Sequence, residues 1–247
     1  MKLTVVGCGD AWGSGGRGHT CFRLDVDGRC VLADFGATAL VAWHRLGFDP
    51  DDIDAIAISH LHGDHFGGLP FLLMECQFEL RRTRPLTIAG PPGLRERLGR
   101  AIEVLYPGVA RAAWRFDLQV EEVEPGGRTE LAGLCLDTAR VVHESGAPST
   151  AIRIAGGGKT FAYSGDTEWT PALLDISRDA DLFVTECYSG GRLVPGHIDW
   201  PTLRGKLGVI DARRVALTHL GPDALAKTGE FADAGLLVLA DGMRLDV

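Results

Sequence analysis

The sequence predicts an α+β protein in which two β-sheets pack face to face and helices cover their outer sides. Short β-like runs are grouped in each half of the 247-residue chain, with helical runs interspersed among them. No Pro/Ser-rich linker, low-complexity tract or convincing repeat divides the chain. We therefore expect a single domain over residues 1–247.

The first half opens with a hairpin, because Asp27-Gly28 separates two β-like runs. Strands are predicted at 3–6, 21–26, 30–33, 53–59 and 86–89, and helices at 37–47, 69–80 and 94–105. The second half repeats this logic, with strands near 116–123, 134–142, 150–155, 159–164, 181–186, 214–218 and 236–239 and helices near 170–177 and 201–208. The grouped strands predict the two sheets.

Two glycine runs imitate phosphate-binding loops without fulfilling their requirements. The run at 13–18 fits G-x-G-x-x-G, but a strand follows it where a dinucleotide fingerprint needs a helix. The run Gly156-Gly157-Gly158-Lys159-Thr160 resembles the end of a P-loop, but Arg153 occupies the position of the first required glycine. We expect a tight hairpin between two strands at 156–158.

Composition excludes several classes of protein. A formal net charge of −8 argues against non-specific coating of nucleic acid. Six scattered cysteines form no CxxC pair, so they indicate reduced thiols rather than a zinc ribbon or a thioredoxin-type site. No signal peptide is recognisable and no apolar run approaches the roughly 20 residues of a membrane helix. We expect a cytoplasmic protein with no membrane partner.

The segment His60-Leu61-His62-Gly63-Asp64-His65 carries most of the functional information. Imidazole nitrogens and carboxylate oxygens are ligands that Zn²⁺, Mn²⁺ and Fe²⁺ accept. At an extended strand end, side chains two residues apart point the same way, so His60 and His62 can bind one ion. The chain then turns, which lets Asp64 and His65 face a second ion. The segment predicts a site for two metals.

Two metals need more ligands than this segment offers, and isolated residues at other strand ends can supply them. These residues are His143, Asp166 and His219, each of which follows a predicted strand. Such strands would deliver their side chains to one edge of a sheet.

The chain resembles the metallo-β-lactamase-fold hydrolases, and within them the ribonuclease Z branch and related small phosphodiesterases. Residues 58–70, Ile-Ser-His-Leu-His-Gly-Asp-His-Phe-Gly-Gly-Leu-Pro, are very close to the signature of that branch. The likeness also covers residues 6–10, 17–20, 32–36, 89–93, 164–167 and 217–219 in order. The resemblance implies a four-layer αβ/βα sandwich with two divalent metal ions, zinc first, at one edge.

Carried over residue by residue, the resemblance implies a complete site. The first ion would be held by His60, His62 and His143, and the second by Asp64, His65 and His219. Asp166 would bridge both ions, which in such sites share a hydroxide that attacks the substrate. Asp64 would also orient that hydroxide.

Glu186 and His197 resemble a pair that ribonuclease Z-like enzymes keep near the scissile phosphate. A Glu bonded to a His fixes its tautomer and raises its pKa, so the His can protonate a leaving oxygen. This implies a phosphodiesterase with Glu186 and His197 beside Asp64 as catalytic residues. A capping role for His197 in an ordinary loop is the alternative.

The chain also departs from its relatives. Ribonuclease Z proteins that process tRNA carry a long arm where this sequence has only the hairpin at 156–158. We expect a small or cyclic phosphodiester or an RNA end as the substrate. Arginines 81, 82, 84, 95, 97 and 100 form either a local phosphate-attracting surface or an ordinary solvated face. The likeness makes a homodimer plausible.

Three other functions remain open on the same fold: lactonase, thioesterase and β-lactamase. Trp169 replaces the tyrosine that lactonases often place three residues after the bridging Asp. The residues around His143 lack the Gly-His-Thr-Pro-Gly pattern of glyoxalase II-like thioesterases. A metal-binding module without activity is disfavoured, because the ligand set is complete.

Overall fold

The computed structural model describes residues 1–109 and 113–247, and these residues form two seven-stranded sheets with helices outside them. The strands are β1 Lys2–Gly7, β2 Cys21–Val26, β3 Arg29–Ala33, β4 Ala55–Ala57, β5 Leu86–Gly90, β6 Leu118–Glu122, β7 Arg128–Leu131, β8 Leu134–Arg140, β9 Thr150–Gly156, β10 Lys159–Tyr163, β11 Leu182–Glu186, β12 Val215–Thr218, β13 Leu237–Val238 and β14 Arg244–Asp246. The helices are α1 Ala39–Arg45, α2 Gly63–Phe66, α3 Leu69–Met74, α4 Leu94–Leu105, α5 Ala172–Ser177, α6 Trp200–Lys206, α7 Pro222–Leu225 and α8 Thr228–Asp233.

Both sheets combine an antiparallel part with a parallel part. The first has the order β14-β1-β2-β3-β4-β5-β6, and β3 to β6 run parallel. The second has the order β13-β12-β11-β10-β9-β8-β7, and β10 to β13 run parallel. Parallel neighbours need crossover connections, which here pass through helices. The carboxyl ends of the parallel strands therefore meet at one edge of the sandwich.

Apolar side chains fill three spaces, which confirms the four-layer αβ/βα sandwich. Between the sheets, the ring of Phe22 lies 5.3 Å from Tyr163 and 6.1 Å from Phe161. Outside the first sheet, α1, α3 and α4 bury residues such as Trp43. Outside the second, α5, α6 and α8 bury a cluster that includes the edge-to-face pair Trp200–Phe231. The central parallel strands β4, β5 and β11 are mostly buried on both faces, as expected for helix-covered sheets.

Most predicted elements are present, with shifted ends. The strand predicted at 53–59 is confined to Ala55–Ala57, and the helix predicted at 69–80 ends as α3 and continues as a π-helical turn over Glu75–Glu79. The hairpin at 156–158 is confirmed, since residues 157–158 form the turn between β9 and β10. Within the run at 13–18, residues Ser14–Gly16 form a 3₁₀ turn, and the run is followed by strand β2. A dinucleotide fingerprint would be followed by a helix, so this run is not one. In the described ranges, no helix is long and apolar enough to cross a membrane.

Besides the four-residue helix α2, four elements were not expected from the sequence: β7, β14, α7 and α8. The two strands lie at sheet edges, where polar residues such as those of Arg128–Leu131 and Arg244–Asp246 are common and apolar alternation is weak. The two helices span only four and six residues. Such short segments carry too few apolar positions to show a helical period.

Candidate metal centre

The site forms where β3, β4, β10, β11 and β12 end. His60 and His62 lie in the segment after β4, which runs into α2 with Asp64 and His65. The turn after β3 passes very close to α2. A Cβ added at Gly36 would lie only 2.1 Å from the carbonyl oxygen of Asp64. Only glycine permits this approach, which presses α2 and its ligands against the sheet edge.

The structure brings the seven predicted metal ligands together in two groups. In each group the ligand atoms lie within 4.8 Å of one another. The first ligand group is His60, His62 and His143, and the second ligand group is Asp64, His65, Asp166 and His219. The first is joined by a contact of 3.0 Å between His143 Nε2 and His62 Nδ1.

Asp166 lies between the two groups. Its Oδ2 is 3.3 Å from the Nε2 atoms of both His65 and His219, 3.8 Å from Nε2 of His60 and 4.0 Å from Nε2 of His143. Two ligands bound tetrahedrally at about 2.0–2.1 Å lie roughly 3.3–3.4 Å apart. The spacing of Asp166 from the second group therefore matches a shared cation, and its first-group distances suit a bridging carboxylate.

Several ligand atoms are buried without a hydrogen-bond partner among the described residues. They are His60 Nε2, His65 Nε2, Asp64 Oδ2 and Asp166 Oδ1. Burying such atoms unpartnered costs about 1–3 kcal/mol each. A divalent cation would satisfy them together, so the donor set fits a metal ion.

Hydrogen bonds behind the ligands fix which ring nitrogen faces the centre. His65 Nδ1 donates to Asp34 Oδ2 at 2.7 Å, and His143 Nδ1 donates to the Gly196 carbonyl oxygen at 2.8 Å. Asp34 also accepts the Ser59 hydroxyl at 2.8 Å, so the Ser59 oxygen is left to accept His60 Nδ1–H at 3.1 Å. Each bond occupies Nδ1 and so makes Nε2 the nitrogen that faces the centre, where it can bind a metal.

Asp34 is the functional residue that sequence reasoning did not assign. It is fully buried at the end of β3, with a left-handed backbone (φ 60°) that is strained for a residue other than glycine. The available signal was a lone acidic residue directly after a buried apolar strand.

Burial and charge set the protonation states. Burial lowers the pKa values of His60, His62, His143 and His219, that of His219 to about 4. Burial would also lower the pKa of His65, but the carboxylates of Asp166, Asp64 and Asp34 outweigh it and raise the value. Those carboxylates concentrate negative charge in the second ligand group, which favours a cation.

Fully buried Glu186 and half-buried His197 form a pair beside both ligand groups. Glu186 Oε1 accepts His197 Nδ1–H at 3.0 Å and the Thr167 amide at 2.7 Å. The His197 ring is stacked on His219 at 5.5 Å, and a ring nitrogen of His197 shares a 4.8 Å cluster with His143 and Asp166. Burial would lower the pKa of His197, but Glu186 outweighs it and raises the value to about 9. The pair can therefore present a protonated imidazole at the site.

Arg97 of α4 ties the two loops that carry the first ligand group. Its Nη1 donates to the carbonyl oxygens of Leu61 at 3.1 Å and Ser145 at 2.6 Å, and its Nη2 donates to that of Gly146 at 3.1 Å. Leu61 stands between His60 and His62, and Ser145 follows His143 by two residues. The guanidinium therefore holds the His143 loop in register with the His60–His62 segment.

Of the other five arginines of the predicted basic surface, Arg82, Arg84, Arg95 and Arg100 are also engaged within the protein, and Arg81 is exposed. Arg82 is buried and donates to backbone carbonyls such as that of Ile53 at 2.6 Å. Arg84 pairs with Asp54 at 2.7 Å, and Arg100 pairs with Glu96 at 2.6 Å. These contacts favour the ordinary structural interpretation of the arginines over a phosphate-attracting surface.

Comparison with solved structures identifies the fold. The metallo-β-lactamase-fold protein YhfI from Bacillus subtilis superposes with a TM-score of 0.80 at 19% identity, covering 99% of both chains. The protein is thus a metallo-β-lactamase-fold protein, as its resemblance implied. The family model of the anti-Pycsar protein Apyc1 matches residues 1–237, and the chain belongs to this family.

Curated relatives have ribonuclease Z and phosphodiesterase names. The ribonuclease Z of Methanosarcina acetivorans is 22% identical over 311 residues, covering the whole chain and 98% of the relative. Human zinc phosphodiesterase ELAC protein 1 is 37% identical over 109 residues, covering 43% of this chain. The chain spans only 30% of the length of that relative. The expected ribonuclease Z-like resemblance is confirmed.

Proposed function

We propose that the protein is a dinuclear metal-dependent phosphodiesterase that hydrolyses a small or cyclic phosphodiester or an RNA end. The observation that carries this proposal is the Glu186–His197 pair, which lies against both ligand groups. Hydrolysis of a phosphodiester releases an alkoxide, which needs a proton donor more than the leaving groups of most thioesters and activated lactones do.

The ligand set supports two divalent ions, with zinc the first choice. Five imidazoles and two carboxylates suit zinc better than magnesium or calcium, which prefer oxygen ligands. Manganese and iron also accept such ligands. When bound, two such ions polarise the phosphoryl oxygens and supply a nucleophile from water at neutral pH.

The side chains of the protein then have distinct tasks. Asp64, Asp166 and the five imidazoles would hold the ions, and Asp64 would also orient the attacking oxygen. His197 donates a proton to the departing oxygen, and Glu186 keeps its Nδ1 protonated and its ring in place. Three backbone amides, those of Thr167, Tyr188 and Ile198, donate to Glu186 and hold the carboxylate in position.

The substrate should be small or a chain end rather than a whole tRNA. The turn between β9 and β10 stands where tRNA-processing relatives carry their arm, and the net charge of −8 gives no general attraction for a polyanion. The names of the relatives, ribonuclease Z and zinc phosphodiesterase, support phosphodiester chemistry in either case.

The remaining expectations accompany this proposal. Residues 1–247 act as one domain, and two chains form a homodimer. The six unpaired cysteines favour a reducing compartment, so we propose a cytoplasmic location.

The test is hydrolysis of an activated phosphodiester by zinc-loaded protein beside a lactone, a thioester and a β-lactam. We expect turnover of the phosphodiester that disappears in Asp166→Ala. Turnover confined to a carbon ester or amide would contradict the proposal, and Glu186–His197 would then be a structural pair.

A further inference from the structure

A cleft of about 390 Å³ opens next to His197. Its other walls are largely apolar and include Trp169, Leu193, Val194, Pro195 and Ile198. Leu193 is 80% exposed, although it borders a site built from polar groups. We call this space the His197 cleft.

The His197 cleft shares its backbone with the metal centre. The amide of Gly196 donates to Glu168 Oε1 at 2.9 Å, and the carbonyl oxygen of Gly196 accepts from His143. The backbone at Gly196 has φ 79°, and an added Cβ would lie 2.9 Å from His143 Nδ1. The loop that forms one wall is therefore held against a metal ligand, and the opposite wall follows Asp166 by three residues at Trp169.

We propose that the His197 cleft binds a flat aromatic ring carried by the leaving alcohol of the substrate. The proposal rests on the phosphodiesterase function proposed above. A ring nitrogen of His197 lies in one 4.8 Å cluster with His143 and Asp166, and the His197 side chain also lines the cleft. His197 therefore separates the metal centre from the cleft, and the leaving group of a substrate bound at the centre extends past His197 into it. Sites of a few hundred Å³ with mainly apolar walls are typical for small organic groups.

The chemistry of the walls selects an aromatic ring over the alternatives. The lining also includes Glu168, Asp199 and Thr202. The two carboxylates would repel a second phosphate, and a sugar would lose water contacts against Leu193, Val194 and Pro195. A flat ring loses little, and it gains contact with the indole of Trp169. A nucleobase and a synthetic aryl group share this chemistry.

The experiment compares two methyl phosphodiesters whose leaving alcohols have similar acidity. One alcohol is phenol and the other is hexafluoroisopropanol, which is similarly acidic, so the two substrates differ in the ring and little in leaving-group quality. Both are assayed with zinc-loaded wild type, with Leu193→Ala, and with Leu105→Ala as a control. Leu105 is an exposed leucine at the end of α4 that does not line the cleft.

We expect wild type to bind the aryl substrate with the lower KM. In Leu193→Ala the KM of the aryl substrate should rise about fivefold, because several methyl and methylene contacts are lost. The KM of the alkyl substrate, and both KM values of Leu105→Ala, should not change. Equal KM values for the two substrates in wild type, or an equal rise for both in Leu193→Ala, would overturn the proposal.

Calorimetric titration of zinc-loaded protein with phenol separates this proposal from the proposed function. Binding that Leu193→Ala weakens supports the aromatic subsite even if neither diester is hydrolysed, in which case the phosphodiesterase proposal alone fails. Hydrolysis of both diesters with no phenol binding would leave the proposed function and remove the subsite. A nucleoside titrated in the same way distinguishes a nucleobase from a synthetic ring as the preferred occupant.

Discussion

The two ligand groups differ in construction. The first consists of three imidazoles, of which His62 and His143 are partly exposed, and it depends on two loops tied together by Arg97. The second is fully buried, contains two carboxylates, and is braced by the Asp34–His65 hydrogen bond. Greater negative charge and burial favour tighter binding of a divalent cation. The comparison predicts that the second ion is held more tightly and that the first exchanges more readily.

The largest effect is expected where the two groups meet. Among the described residues, Asp166→Ala removes the only carboxylate within about 4 Å of imidazoles from both groups. We expect loss of both ions and a fall in phosphodiester turnover of more than about 10³-fold. Metal analysis after gel filtration checks the first outcome. Retention of one ion at full occupancy would show that Asp166 belongs to one group only.

The second-largest loss of activity is expected for substitution of His197, which belongs to neither ligand group. His197→Ala should keep both ions, because His197 has Glu186 as its partner and lies outside both ligand groups. We expect kcat to fall about 10²–10⁴-fold for phosphodiesters with poor leaving groups, and much less for those with good ones.

The control for His197→Ala is metal content. An equal loss of turnover on good and poor leaving groups would defeat the proton-donor role. A loss of one ion would assign His197 to the metal set instead.

The hydrogen bond from His65 to Asp34, which supports the second ligand group, can be weakened without removing a ligand. Asp34→Asn keeps the shape of the side chain but weakens its direct hydrogen bond with His65. Its effect on His60 is indirect, because Asp34 contacts His60 through the Ser59 hydroxyl. We expect the affinity for the second ion to fall about 10–100-fold and that for the first to fall less. Competition with a chromogenic chelator measures both constants. A larger loss at the first ion would reverse the proposed difference between the groups.

The smallest effect is expected at the first ligand group. Arg97→Gln removes the donors that join the loops of Leu61 and Ser145, so we expect the first ion to bind about tenfold more weakly and the second to be unchanged. Arg100→Gln is the matched control, because Arg100 lies on the same helix and contacts only exposed Glu96 among the described residues. Weakening of both ions together, or a lower unfolding temperature without metal, would indicate a general structural role for Arg97.

The metal ligands and the residues that support them differ in how well the sequence predicts them. The candidate ligands can be predicted from local spacing and strand ends, because four of them crowd into six residues and the others stand alone after apolar strands. Asp34 and Arg97 contact partners 25 to 49 residues away in the sequence. No local pattern distinguishes such residues from ordinary surface charges.

The fold shows the same division between local and distant information. The central strands and α4 were predicted from apolar patterns, and Leu94–Leu105 matches its predicted bounds. The edge strands β7 and β14 were missed because their residues face solvent and pair on one side only. The His197 cleft was not predicted either, since its walls come from two segments that only the folded chain brings together.

The central claim is that two ions with unequal affinities act together on a phosphodiester. Its most direct test is titration of metal-free protein with zinc, with metal binding and phosphodiester hydrolysis recorded at each addition. The account predicts two equivalents per chain, a tight one followed by a weaker one, with hydrolysis rising only as the second equivalent binds. Saturation at one equivalent, or full loading without hydrolysis of any phosphodiester, would contradict it.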